Sequence, residues 1–190
     1  MNTATFKRVL TFLLVVFTLS CAHNPGSYRD GKMDFSAITT VAVMPFANLS
    51  ADNMAGERVR DAFSTMLLST GAVYVLPPGE VARGISRVGV ANPASPTAEE
   101  AVKLGGILNV NSVITGVVRE YGEVRSSSTT ANSISVSAAM TETQTGRVVW
   151  KAASTKGGIG FWDRLFGGGG KPMNIVTERA VDDLLGKLFQ

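Results

Sequence analysis

The 190-residue chain carries one thiol, Cys21, and one imidazole, His23. A structural zinc site takes several Cys or His ligands, and a Ser-His-Asp triad needs an imidazole held by partners. Cys21 and His23 supply neither, and His23 stands alone in a polar stretch. Gly167-Gly168-Gly169-Gly170-Lys171 invites a phosphate-loop reading. That pattern needs Gly where Leu165 stands and Ser or Thr where Pro172 stands, inside a strand-loop-helix unit. The run therefore reads as linker. Asp182-Asp183 is a carboxylate pair, but neighbours on a helix point about 100° apart and do not converge. Ser126, Ser127 and Ser128 have no base nearby. Nothing here supports an enzyme, a cofactor, a metal centre or a small-molecule substrate.

What remains for Cys21 is attachment to lipid. Lys7 and Arg8 precede an apolar run from Val9 to Leu19. A run of that length is short for a membrane span and has the form of a secretory signal. Thr18-Leu19-Ser20-Cys21 resembles a bacterial lipobox, in which cleavage falls before a Cys that takes acyl chains such as palmitate. Thr18 stands where the usual box has Leu, and Leu19 comes one step later. Residues 1–20 are expected to be a lipoprotein signal peptide, 21–36 a lipidated tether and 37–190 a single domain. Each buried CH₂ contributes roughly 0.8 kcal/mol, so several acyl chains hold stably. Ala22 rather than Asp follows the Cys, which by resemblance to known lipoprotein sorting implies the periplasmic face of the outer membrane. Losing Lys7 and Arg8 from 18 basic residues leaves 16 against 15 acidic ones. No basic stripe remains, and nucleic acid is not an expected partner.

The elements follow from periodicity. Thr39 to Phe46 is rich in β-branched residues and reads as a buried strand. Val59, Phe63, Met66 and Leu67 fall at helical spacing, with Arg58, Arg60 and Asp61 on the other face and Gly71 closing the helix. Ala72 to Leu76 is a short strand, Pro77-Pro78-Gly79 a turn, and Val81, Ile85 and Val88 a second helix. Thr97 and Glu100 form a capping box for a third helix, which Gly105-Gly106 should stop. Ser112 to Val118 is a strand and Glu123 to Ser133 a loop. Ile134, Val136, Ala138 and Met140 alternate with polar residues, as in a half-buried strand. Thr143-Gln144-Thr145-Gly146 turns into a returning strand, Arg147 to Ala153, with Trp150 on a face shared with Val148 and Ala152. Val181, Leu184, Leu185 and Leu188 mark a terminal amphipathic helix. The order β-α-β-α-α-β-β-β-α predicts an α/β domain. It would have a mixed sheet of about five strands, ending in an antiparallel meander, with helices in two or three layers.

Val41-Ala42-Val43-Met44-Pro45-Phe46-Ala47-Asn48-Leu49-Ser50 is similar to the opening strand and loop of the CsgG-like periplasmic lipoproteins, a group that includes LpoB-like and TolB N-terminal-domain-like proteins. Val113 to Gly122 resembles the group's next motif, and Thr143 to Trp150 its hairpin. The resemblance runs from about residue 38 to 189. It implies the group's fold. It also implies a non-catalytic accessory or assembly role in export or secretion through the cell envelope, with protein–protein interaction and homo-oligomers. The alternative is an activator of a peptidoglycan synthase. Channel-forming members carry long membrane hairpins in this fold. Only about ten polar residues separate Gly122 from Ile134 here, against about 9–11 alternating residues for each membrane strand. A pore made by this chain is not expected.

One segment fits none of these roles. Phe161-Trp162-Asp163-Arg164-Leu165-Phe166 packs four large apolar residues between glycine runs. Core elements are rarely flanked this way, and Phe and Trp are common interface anchors. Phe161, Trp162, Leu165 and Phe166 read either as tucked against the domain or as a patch that docks on another subunit, an envelope partner or lipid.

Overall fold

Every side chain from Val41 to Met44 is buried, as a β-branched run bounded by Pro45 should be. This run forms β2 (Thr40–Val43), and the computed structural model builds outward from it, describing residues 26–126, 129–158 and 170–190. Strand β2 pairs in parallel with β4 (Tyr74–Val75) and with β5 (Ser112–Ser126), while β3 (Ala47–Asn48) pairs further along β5. The meander follows: β6 (Thr129–Glu142) lies antiparallel to β5, and β7 (Val148–Gly157) antiparallel to β6. Strand β1 (Ser27–Arg29) closes the far edge, giving the order β1-β7-β6-β5-β2-β4.

Alternation along β2 sends side chains to opposite faces, and each face has its own core. Val41 and Val43 meet α1 (Ala55–Ser69) and α4 (Met173–Leu188). Ala42 and Met44 meet α2 (Pro78–Val88) and α3 (Ala98–Leu108). The result has three layers. Val59, Phe63 and Leu67 are buried from α1 as their spacing required, with Met66 half-buried. Phe63 tilts against Phe46 at 5.8 Å between ring centroids. Gly71 follows the α1 C-cap at φ +67°, a backbone that glycine adopts without strain. Val181, Leu184, Leu185 and Leu188 bury α4.

The capping box is present: Glu100 N donates to Thr97 Oγ1 at 3.2 Å, and Thr97 N donates to Glu100 Oε2 at 2.7 Å. Helix α3 nevertheless runs through Gly105-Gly106 to Leu108 and ends at Asn109, whose φ is 54°. Gly105 serves close packing, since a Cβ there would sit 2.3 Å from Thr143 Cβ. Pro78 and Gly79 belong to the first turn of α2, where proline is already shaped for a helix.

Strand extents differ more. The stretch 123–133, expected as a loop, instead prolongs the β5–β6 ladder to Ser126↔Thr129. Ladder bonds satisfy the backbone while polar side chains face water, so no apolar pattern is needed there. The arms reach membrane-strand length, but Glu120, Glu123 and Arg125 replace the outward apolar band of such strands. Two short strands, β1 and β3, raise the sheet from about five strands to seven. Ser27–Arg29, read as tether, pairs with β7. Arg60, assigned to a solvent face, is half-buried and donates twice to Val43 O, at 3.1 and 2.7 Å. The register shifts between Met140 and Thr141, leaving Val149 as the extra residue. Val148 is therefore exposed, while Trp150 and Ala152 stay buried.

Trp150 is wholly buried, and its indole Nε1 donates to Lys187 O in α4 at 3.2 Å. Trp150→Ala is expected to destabilise the domain by about 3–5 kcal/mol, measured by chemical denaturation. An unchanged midpoint would refute this packing.

Candidate functional site

Functional geometry in the described residues gathers where the N-terminal segment crosses the ends of α1 and α4. Strand β1 delivers Arg29 to this place. The chain then turns: Asp30 N donates to Val149 O at 2.8 Å. Asp34 caps a short 3-10 turn, Phe35–Ala37, by accepting from Ser36 N at 3.0 Å. Those hydrogen bonds from Ser36 hold the Asp34 carboxyl below its ordinary value. The Arg29 guanidinium lies 3.6 Å from the Phe35 ring centroid and donates through Nη1 to Leu188 O. Both contacts favour the cation, one through the ring face and one through the negative end of α4.

Behind this clasp is a pocket of about 270 Å³. Arg29 and Ser36 supply its polar rim, and Phe35, Ile38, Leu67, Val73, Met140 and Leu188 are among its apolar walls. Phe189 borders it and is 48% exposed. Shape and lining suit an apolar side chain or a short hydrophobic segment, with Arg29 able to meet a carbonyl or carboxylate.

A second polar group pins α4 to β7. Lys156 Nζ lies 2.9 Å from Asp183 Oδ1, and Lys187 Nζ lies 2.7 Å from Asp183 Oδ2. Lys187 Nζ also donates to Ala153 O at 2.8 Å. Burial alone would raise the Asp183 carboxyl, but the hydrogen bonds from Lys187 and Lys156 outweigh it and hold it at about 2. Asp182 points to solvent. The two adjacent carboxylates thus diverge, and the one that matters is structural.

Of the residues singled out from sequence, Cys21, His23, Phe161, Trp162, Leu165 and Phe166 lie outside the described residues, as do Ser127 and Ser128. Lys171, at the end of the glycine run, is exposed, and its carbonyl accepts from Asn132 Nδ2 at 2.8 Å. Arg29 was missed because it sits in a stretch that reads as polar tether, and the pocket because most of its walls come from α1, β6 and α4. The one signal in the tether was Phe35, an apolar residue out of place in a solvated linker. Among the described residues, no three His, Cys, Asp or Glu side chains gather as a metal site. No helix among them is long and apolar enough to cross a membrane.

Fold and surface define a mixed α/β domain with a clasped apolar pocket. The chain belongs to the GNA1162-like lipoprotein family, for residues 31–158 match the family described as "Putative lipoprotein GNA1162-like". No curated protein matches the chain. Among solved structures it is similar to the PelC dodecamer from Paraburkholderia phytofirmans, at 16% identity and TM-score 0.57, over 85% of this chain and 95% of that one. It is also similar to the lipoprotein GNA1162 from Neisseria meningitidis, at 19% identity and TM-score 0.57, over 80% and 98%. The hypothetical protein CT253 from Chlamydia trachomatis aligns at 14% identity and TM-score 0.50, over 80% and 95%. At these identities the likeness is one of fold.

Asp183→Asn is expected to cost about 1 kcal/mol at neutral pH, because the ion pairs are partly exposed. Since the folded carboxyl is held below its unfolded value, the wild-type advantage should be full above pH ~4 and fade as pH falls towards 2. Paired denaturant melts across that range would test it. An equal gap at every pH would rule out the charge origin.

Proposed function

We propose that this protein is a lipid-anchored accessory of the cell envelope, a non-catalytic assembly module that works as a homo-oligomer in export or secretion. The observation that carries the reading is membership of a lipoprotein family, in a chain whose single Cys falls in a lipobox-like sequence. Cys21 is the lipidation site in this reading, and Ala22 after it favours the periplasmic face of the outer membrane. Residues 1–20 are the signal and 37–190 the domain, with β1 packed onto that domain from the tether side. The motifs at Val41 to Ser50 and Thr143 to Trp150 support a CsgG-like assignment. The oligomeric part takes support from PelC, a dodecamer that shares this fold. Phe161, Trp162, Leu165 and Phe166 are the proposed subunit contacts, because Phe and Trp are common interface anchors and four large apolar residues fall within six positions.

The native mass of the delipidated domain tests the assembly reading. A ring-sized particle is expected, and a monomer would favour the alternative role of regulating a peptidoglycan synthase. Cys21→Ser should leave a folded domain that washes free of membranes. Retention in the membrane fraction would overturn the anchor. Phe161→Ser with Trp162→Ser should abolish assembly while leaving the melting temperature nearly unchanged. A large thermal loss would show that the segment is core.

A further inference from the structure

The clasped pocket opens where α1 and α4 end. Leu67 in the last turn of α1, Ala72 and Val73 just after it, and Leu188 at the carboxyl end of α4 are among its walls. The chain beside those walls is apolar as well: Leu68, Tyr74 and Phe189 are all exposed. An apolar rim around an apolar recess is the form of a docking surface. Arg29 is the cation at this mouth. Its guanidinium keeps N–H donors beyond the one given to Leu188 O, and it makes no ion pair among the described residues.

The other end of α1 presents a matching shape. Leu49 lies in the turn between β3 and α1 and is 69% exposed, more than any other large apolar side chain among the described residues. Its turn is pinned: Leu49 N donates to Val118 O at 2.8 Å, Ser50 N to Asn48 Oδ1 at 3.0 Å, and Asn48 Nδ2 to Asp52 O at 2.7 Å. A side chain held out by a fixed backbone loses little further freedom on docking. Glu120 lines the same cleft as Leu49. It is exposed and, like Arg29, makes no ion pair among the described residues. Val41, three residues after Ile38 in the pocket wall, pairs with Ser112, whereas Leu49 sits beside Val118. Those positions on β5 are about 20 Å apart, so Leu49 cannot reach the pocket of its own chain.

We propose that Leu49 of one copy enters the clasped pocket of the next, with Glu120 of the first facing Arg29 of the second. This names a contact for the homo-oligomer proposed above and rests on that reading. A dry cavity of about 150 Å³ accepts benzene. The pocket, at about 270 Å³, has room for a leucine side chain. Charge selects the same pairing, because an unpaired carboxylate stands beside the leucine and an unpaired cation at the mouth of the pocket. The two surfaces differ, so the contact is head-to-tail, and its repetition gives a closed ring or an open filament.

Leu49→Asp removes the inserted side chain and Ala72→Trp fills the pocket. Both positions are exposed, so the thermal melts should match that of the wild type. Full-length protein extracted in detergent is weighed by native mass spectrometry. The wild type is expected as multimers larger than dimers, and each variant alone as monomers. An equal mixture of the two variants should give heterodimers and nothing larger, since only one intact leucine and one intact pocket remain between them. Glu120→Arg, which sets like charges against each other, should lower the multimer fraction; an unchanged fraction overturns the Arg29 pairing. Leu49→Asp, in a surface turn, tests the contact even if Ala72→Trp melts early. A monomeric wild type overturns the homo-oligomer reading and the contact with it. A multimeric wild type whose folded Leu49→Asp or Ala72→Trp variant stays multimeric, or whose mixed variants stay monomeric, overturns the contact alone.

Discussion

A strand buried along its whole length must be covered on both sides, and β2 sets that requirement for this fold. Val41 and Val43 demand one helical layer, Ala42 and Met44 another. The chain meets the demand by sending α1 to one face before β4 and α2 with α3 to the other before β5. Helix α4, the last element, then completes the first layer over the meander, where Trp150 locks it through Lys187 O.

Polar residues set the edges of that arrangement. Asn111 Oδ1 accepts from Thr39 N at 2.9 Å, Thr39 Oγ1 at 3.0 Å and Thr40 N at 3.0 Å, tying the entry of β2 to that of β5. Thr143 Oγ1 donates to Val110 O at 2.6 Å and its Cβ and Oγ1 pack against Gly105, so α3 and the β6–β7 turn lock together. Arg119, displaced at the bulge after Val118, reaches Ser137 Oγ at 3.0 Å on the sheet face that the helices leave open. These bonds join residues distant in sequence, and each satisfies groups that would otherwise be orphaned near the core.

Elements whose burial repeats locally were legible from sequence. Val59, Phe63 and Leu67 announce α1, Ile134 to Met140 announce β6, and Thr97 with Glu100 announces the start of α3. The misreadings share a cause, namely that the deciding partner lies far along the chain. Gly105 looks like a stop until Thr143 packs on it. Ser27–Arg29 looks like tether until β7 offers an edge. Residues 123–133 look like loop because a ladder asks nothing of their side chains. The pocket was illegible for the same reason, its walls coming from the 3-10 turn, α1, β6 and α4.

The β1 strand also has a mechanical meaning. A pull on a membrane-held N-terminus reaches the domain first through β1, whose three residues lie along β7. A load along the strand direction strains these ladder bonds together in shear, the stiffer geometry, rather than peeling them one by one. Beyond β1 the force path continues through Arg29 into Phe35 and the carboxyl end of α4. Tension at the anchor is thereby carried into the sheet edge and the last helix at once, and the rim of the pocket is part of the strained path.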